Sequence, residues 1–182
     1  VYAGAFADPA RFSRLLEEAD AAAGRQLRAV ILTGFSAGCG AIREILRHRA
    51  NFALVDAVVL ADGIHTSYIP EGKPGPLDTE RLQPLVEFAR EAAAGRKQMI
   101  VTHSEVFPGT YASTTETADY LLGALGLKRR AVLKWGPLGM QQTSEARAGR
   151  FLLLGFAGNS APDHLDHFHA LEQWLRKVKP GR

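Results

Sequence analysis

The sequence has few of the features that would place it outside the ordinary globular proteins. A single cysteine, Cys39, stands among 182 residues, so no disulfide can form within the chain and the redox compartment stays open. Apolar runs stay well short of the roughly 20 residues that a membrane-spanning helix needs. Internal repeats and low-complexity segments are also missing. We therefore expect a soluble protein without a membrane span, either cytoplasmic or exported without disulfides.

The sequence also lacks a large excess of either positive or negative charge. The formal net charge is +3, and only residues 127–134 and 176–182 are locally basic. Runs this short are typical of solvated faces and helix ends, and no aromatic residues interleave with them, so we expect no nucleic-acid partner. With 46% hydrophobic and 23% charged residues, the composition predicts one domain, residues 1–182, with a core of its own.

Strand-like and helix-like segments alternate along the chain. Strands are predicted over 1–6, 28–34, 54–62, 98–103, 131–135 and 150–158. Helices are predicted over 8–24, 37–48, 78–95, 113–126 and 167–178. Several strands are nearly continuous apolar runs, which is typical of a parallel sheet covered on both faces. The pattern predicts an α/β fold, a three-layer sandwich around a mostly parallel sheet. Because the chain opens inside a predicted strand, without Met or a signal-type segment, we expect a reduced or N-terminally incomplete form of that fold.

The stretch GFSAG, residues 34–38, lies between a predicted strand and a predicted helix. A nucleophile elbow needs this setting, with small residues two positions before and two after the serine. The helix that follows would point its positive end at Ser36, and the backbone N–H of Ala37 would then serve as an oxyanion donor. The stretch lacks the Lys-Ser/Thr of a phosphate-binding loop and the G-x-G-x-x-G of a dinucleotide site. It predicts a nucleophilic Ser36, with a glycine-rich turn of no catalytic role as the alternative.

This turn, followed along the chain by acidic and histidine candidates, resembles the α/β-hydrolase family. The resemblance covers most of the chain. It implies an α/β-hydrolase-like fold and a Ser-His-acid triad that cleaves a small-molecule ester, less readily an amide, through an acyl-serine intermediate without a cofactor. The family takes its second oxyanion donor from a loop after an early strand, for which residues 3–6 are the candidate.

The resemblance also places the histidine between the last strand and the final helix, where the chain offers His164, His167 and His169. His164, expected in the loop after Pro162, is the favoured base, and His167 is the alternate. For the acid, Asp62 ends the predicted strand 54–62, a position that some lipases of this fold use. Glu105 follows the strand 98–103, which is the commoner position in the family. Asp62 is slightly favoured because it ends its strand abruptly.

Four further residues follow strands at the same predicted edge. They are His65, Tyr68, His103 and Phe107. Ligands of open parallel sheets bind at the carboxyl edge, so these residues are candidates for substrate contact, with ordinary loop residues of no such role as the favoured alternative. Loops 63–76 and 105–112 are the expected walls of the pocket.

The segment DHLDHFH, residues 163–169, has a second interpretation as part of a metal site. Three histidines and two aspartates in seven residues are a ligand-rich cluster for zinc, which would need a further ligand such as His65, His103 or Asp62. The spacing matches no standard motif such as H-E-x-x-H, and capping of the last helix is the favoured role for Asp163 and Asp166. A metal-dependent hydrolase and a non-catalytic binding module on the same fold therefore stay open beside the serine hydrolase, for which no metal is expected.

Overall fold

The fold is built on one six-stranded sheet. The computed structural model describes residues 2–179. The strands are β1 Ile31–Phe35, β2 Ala57–Ala61, β3 Gln98–His103, β4 Arg130–Trp135, β5 Gln141–Ala148 and β6 Phe151–Phe156. The helices are α1 Pro9–Ala23, α2 Cys39–Arg47, α3 Arg49–Leu54, α4 Gln83–Ala93, α5 Thr114–Leu125, α6 Ala161–His169 and α7 Leu171–Leu175.

The strand order is β1-β2-β3-β6-β5-β4. The first four strands in this order are parallel, whereas β5 runs antiparallel to β6 and β4 antiparallel to β5. The register pairs Phe35 with Ala61 and Ala61 with Thr102, so the carboxyl ends of β1, β2 and β3 are level at one edge of the sheet. The predicted α/β class with a mostly parallel sheet is confirmed.

Helices cover both faces of this sheet. Val58 and Leu60 of β2 belong to a core cluster shared with α2, α4 and α5, whereas Val59 and Ala61 belong to a second cluster with Trp174 of α7. Successive side chains of a strand point to opposite faces, so a strand buried on both faces must be apolar throughout. Within residues 2–179, none of the helices has the length and apolar character that crossing a membrane requires.

The predicted N-terminal strand is wrong. Residues Ala3–Phe6 form a 3₁₀ turn, and Phe6 packs edge-on against Phe12 of α1 with ring centroids 6.5 Å apart. A strand needs a neighbour to pair with, and within the described residues β1 pairs with β2 alone. Val1, which was included in that prediction, lies outside the described residues.

The predicted loop between residues 135 and 150 is wrong too, because it contains β5. The strand has little apolar alternation, and two of its buried residues, Gln142 and Glu145, are polar. Glu145 forms ion pairs across the strands with Arg130 and Lys134 of β4, the latter at 3.0 Å. Cross-strand pairs of opposite charge stabilise a sheet as apolar pairs do, but they leave no hydrophobic period in the sequence.

The C-terminal region differs from the prediction in where its helix begins. Helix α6 starts at Ala161, so His164 lies in a helix rather than in a loop. The start is fixed by a capping box, in which the Asp163 N–H donates to the Ser160 side chain and the Asp163 carboxylate accepts from the Ser160 N–H at 2.9 Å. The helix therefore begins six residues before the predicted start at residue 167, and His164, His167 and His169 all lie within it.

Candidate active site

Ser36 lies on a sharp turn between β1 and α2. The strand ends at Phe35, residues Ser36–Gly38 form a 3₁₀ turn, and α2 begins directly at Cys39. The φ angle of Ser36 is 51°, in the left-handed region that residues other than glycine rarely adopt. Such a conformation costs about 1–3 kcal/mol and persists only where the surroundings hold it. The turn therefore has the strained backbone that a nucleophile elbow requires.

Glycines around this turn differ in how tightly they are packed. A Cβ at Gly34 would lie 3.0 Å from Ile42 Cδ1, so a small residue is needed there as predicted. A Cβ at Gly38 would meet nothing within 4 Å, so the predicted steric need at that position is wrong. Gly63, just after β2, approaches the turn most closely, because a Cβ there would lie 2.7 Å from the Ser36 carbonyl oxygen and overlap Cys39 Sγ.

Asp62 directly follows β2 beside Ser36 and is buried, with only 1% of its surface exposed. Its φ angle is 43°, a second left-handed non-glycine residue at this edge. The carboxylate accepts hydrogen bonds from Ser104 N–H (2.9 Å), Ser104 Oγ (2.6 Å), Thr114 Oγ1 (2.5 Å) and His164 Nδ1 (2.7 Å). Burial raises the pKa of Asp62, but the bond from His164, the field of His167 and the two hydroxyl bonds outweigh it, so the pKa lies well below its ordinary value.

Two of these partners, Ser104 and Thr114, were not identified from the sequence. Ser104 directly follows the predicted strand 98–103, so the rule that brought Asp62 to the carboxyl edge would have found it. Thr114 opens α5 behind a capping box formed by Ser113 and Glu116. That motif indicates only where a helix starts. It does not indicate that the Thr114 hydroxyl donates to Asp62, which lies 52 residues earlier in the chain.

His164 reaches Asp62 from the first turns of α6. Its Nδ1 lies 2.7 Å from Asp62 Oδ2, and because an ionised carboxylate only accepts, Nδ1 carries a proton; in the neutral ring the lone pair is then on Nε2. The ring packs on Phe35, the residue before Ser36, with centroids 4.5 Å apart. The Ser36 hydroxyl makes no side-chain hydrogen bond within residues 2–179.

A cavity of about 430 Å³ opens beside Ser36, which is the size range of small-ligand sites. Ala37 lines it, and its N–H, in the first turn of a helical segment, has no partner within that segment. Ala3 also lines it, so the N-terminal turn contributes to the wall where residues 3–6 were expected to provide a second oxyanion donor. The other lining residues are Tyr2, Cys39, Gly40, Arg43, Gly63, His65, Thr66, Ser67, Glu71, Arg81, Leu85 and Tyr111.

His65, which follows β2, and His103, the last residue of β3, lie in different surroundings. His65 lines the cavity, and its Nδ1 is buried without a hydrogen-bond partner among the described residues; burial lowers its pKa. His103 is buried away from the cavity, with Nδ1 3.0 Å from the Ser104 carbonyl oxygen and Nε2 2.6 Å from Arg129 Nη1. Burial and the Arg129 charge lower the pKa of His103 to about 4, so its ring is neutral and Nε2 accepts the Arg129 hydrogen bond.

The structure does not bring the remaining predicted residues to this cavity. Tyr68 is buried, and its hydroxyl donates to Glu116 of α5 at 2.9 Å, which holds it in the interior. Phe107 is on the surface, 60% exposed. Glu105 is exposed and makes no side-chain hydrogen bond to the described residues, so Asp62, rather than Glu105, is the acid that contacts a histidine.

The side chains of the DHLDHFH segment diverge. Asp163 caps its own helix, His164 contacts Asp62, and His167 is buried with Nδ1 2.7 Å from Thr102 Oγ1. Successive residues of a helix point in different directions, so five potential ligands within seven residues do not converge on one point. Within residues 2–179, no three His, Cys, Asp or Glu side chains are arranged to hold a metal ion. His167, the alternate base, is a core residue bonded to β3.

Known proteins provide no template for this site. The chain matches no family model, no curated protein and no solved structure in comparisons with each. The function is therefore inferred from the geometry of Ser36, Asp62 and His164 and from the cavity that Ser36 lines.

Proposed function

We propose that this protein is a serine hydrolase of the α/β-hydrolase type, which cleaves a small-molecule ester through an acyl intermediate on Ser36. The observation that carries the proposal is the 2.7 Å contact between His164 and the buried Asp62, at the same sheet edge as a serine with left-handed backbone. An imidazole oriented by a carboxylate is what a weak hydroxyl nucleophile needs to be activated.

In the acylation step, Ser36 Oγ attacks the ester carbonyl carbon while His164 Nε2 takes the hydroxyl proton. Asp62 holds the Nδ1–H and stabilises the imidazolium that forms. The Ala37 N–H donates to the oxyanion of the tetrahedral intermediate. As the intermediate collapses, His164 gives its proton to the alkoxide oxygen, and the alcohol leaves.

Deacylation repeats these roles with water. A water molecule loses a proton to His164 Nε2 and attacks the acyl carbon, the bond to Ser36 Oγ breaks, and the serine recovers the proton from the imidazolium. The products are the free acid and an unchanged enzyme. An ester is favoured over an amide because its leaving oxygen departs more easily than an amine nitrogen.

The surroundings of Asp62 support its role as a carboxylate that stays ionised. Ser104 and Thr114 donate three hydrogen bonds to it from the end of β3 and the start of α5. Ser104 and Thr114 thus hold the carboxylate from two segments of the chain, and His164 is its remaining side-chain partner. A carboxylate held in this way orients the imidazole without taking up its proton.

Short-chain chromogenic esters provide the direct test, with wild type and Ser36→Ala assayed in parallel. We expect Ser36→Ala to lose turnover by about 10³-fold or more, because the covalent route is closed. Ser13→Ala on α1, which removes a serine outside the cavity, is the matched control and should keep wild-type rates. Equal rates for wild type and Ser36→Ala would rule out the nucleophile.

A further inference from the structure

Two arginines in the wall of the cavity suggest which acyl group it accepts. Arg43 lies seven residues beyond Ser36, two helical turns or about 10 Å along the same side of the helical segment. Its side chain is only 16% exposed, and its Nη1 donates to the His65 carbonyl oxygen at 3.3 Å. Its Nε is buried without a hydrogen bond. The guanidinium is thus largely removed from water with few of its five donors satisfied.

Arg81 approaches the cavity from the 3₁₀ turn Glu80–Leu82, directly before α4. Its Nη1 donates to Ser67 Oγ at 3.1 Å, and its Nε lies 3.0 Å from Asp78 Oδ2. Within residues 2–179, the Nη2 of neither Arg81 nor Arg43 makes a hydrogen bond. Two guanidinium groups therefore line one cavity with donors to spare.

The acidic side chains nearby balance the charges of these arginines but leave several of their donors free. Glu44 lies 3.6 Å from Arg43 Nε but also 3.3 Å from Arg47, so it is shared between two cations. Asp78 lies beside Arg81 Nε, and Glu71, the one carboxylate among the cavity-lining residues of the described chain, accepts from Ser67 Oγ at 3.4 Å. The Nη2 groups of Arg43 and Arg81, which have no partner within residues 2–179, are planar donors that a ligand carboxylate would match.

The direction of proton transfer decides which half of the ester reaches these arginines. His164 must stand next to the leaving oxygen, so the alcohol lies on the side of His164, against the Phe35 and Phe168 rings. The acyl group then extends from Ser36 into the cavity. We propose that the cavity binds an acyl chain ending in a carboxylate, so that the substrate is a half-ester of a small dicarboxylic acid. This inference rests on the proposed function.

Two probe esters that differ only at the chain end test the inference. They are mono-4-nitrophenyl adipate, which ends in a carboxylate, and 4-nitrophenyl hexanoate, which ends in a methyl group. We expect wild type to favour the adipate by about 10-fold or more in kcat/KM, since hydrogen bonds to charged groups carry effects of this size. Arg81→Gln should remove about 10-fold of that preference, mainly through KM. Arg47 also forms an ion pair with Glu44 but does not line this cavity, so Arg47→Gln should retain the preference.

The outcomes separate this inference from the proposed function. If the hexanoate is hydrolysed through Ser36 at least as efficiently as the adipate, the carboxylate site is refuted and the serine hydrolase stands. If neither ester is hydrolysed, the proposed hydrolase activity is not supported by these probes. Titration calorimetry with monomethyl adipate then tests separately whether the cavity binds a carboxylate. Binding to wild type that weakens at least about 10-fold in Arg81→Gln supports the site. Absence of binding, or equal binding by both proteins, overturns it.

Discussion

Asp62 stays ionised inside the protein because hydrogen-bond donors surround its carboxylate. In Asp62→Asn an amide N–H would face His164 Nδ1 in one orientation, which favours the imidazole tautomer with its proton on Nε2. That tautomer cannot accept the Ser36 proton. We expect kcat to fall by about 10³- to 10⁴-fold in a protein that still folds, measured by steady-state kinetics with circular dichroism as the folding check.

Glu105→Gln is the matched control for Asp62→Asn. Glu105 follows β3 at the same edge of the sheet, but its side chain is exposed. Its replacement should change kcat by less than about twofold, since surface substitutions away from such contacts have small effects. A large loss in Glu105→Gln with little change in Asp62→Asn would reverse the two roles.

His103 should make the stability of the protein depend on pH. Its pKa is about 4 in the folded protein and 6.5 in a solvated chain, so the unfolded chain binds the proton first as the pH falls. Above pH 6.5 the residue is neutral in both states and does not reduce stability. As the pH falls from 6.5 to 4, the free energy of unfolding decreases by about 3 kcal/mol because of His103. Urea unfolding of wild type and His103→Gln at pH 7, 5.5 and 4 measures it.

The difference between the two proteins isolates this residue, because His65 and His167, whose pKa values burial also lowers, titrate in both. Wild type should lose more stability than His103→Gln between pH 7 and pH 4. Parallel pH profiles for the two proteins would show that His103 is not held neutral by Arg129 and its burial.

Among the elements, the β1–turn–α2 unit depends on a glycine outside its own segment. Gly63→Ala would force a Cβ against the Ser36 carbonyl and Cys39 Sγ. We expect a loss of about 1–3 kcal/mol in the free energy of unfolding, together with reduced turnover, because the backbone of Ser36 has to shift. Thermal unfolding and the ester assay measure the two effects.

Gly38→Ala is the control for this element. Gly38 has φ −61° and ψ −26°, a Cβ there would meet nothing within 4 Å, and alanine is the better helix former. Its melting temperature should equal or exceed that of wild type. A melting temperature lowered as far as in Gly63→Ala would show that the whole turn, rather than the approach of Gly63, limits side-chain size.

Helix α6 carries His164, and its capping box sets where the helix begins. Ser160→Ala removes the cap and should lower the free energy of unfolding by about 1 kcal/mol. Ser160→Asp should restore most of it, because aspartate caps a helix as well as serine does. Chemical denaturation of the three proteins is the measurement, and identical midpoints would show that the cap contributes nothing to stability.

The elements also show where sequence patterns succeed and where they fail. The apolar run of β3 and the glycine-rich turn at Ser36 were predictable because each is encoded by neighbouring residues. The strand β5 was not, since ion pairs of Glu145 with β4 replace the apolar alternation that marks a strand. The start of α6 was predicted six residues late, because the apolar spacing of Leu171, Trp174 and Leu175 marks only the later part of the region, whereas the polar pair Ser160 and Asp163 fixes the beginning.

At the scale of the whole molecule, the sheet order decides which predicted residues meet. Strand β6 inserts beside β3, so α6, which follows it, places His164 next to a residue 102 positions earlier. The sequence could supply candidates at each strand end, namely Asp62 and Glu105 as acids and His164 and His167 as bases. Choosing between them required the pairing of distant strands, which leaves no local pattern.

Covalent labelling tests the central claim, that Ser36 is a nucleophile activated by His164, most directly. The protein is incubated with a fluorophosphonate probe, the intact mass is measured, and the labelled residue is located by peptide mass spectrometry. We expect one adduct on Ser36 in wild type, none in Ser36→Ala, and labelling slowed by about 10²-fold or more in His164→Ala. A label on another residue, or equal labelling of wild type and Ser36→Ala, would contradict the claim.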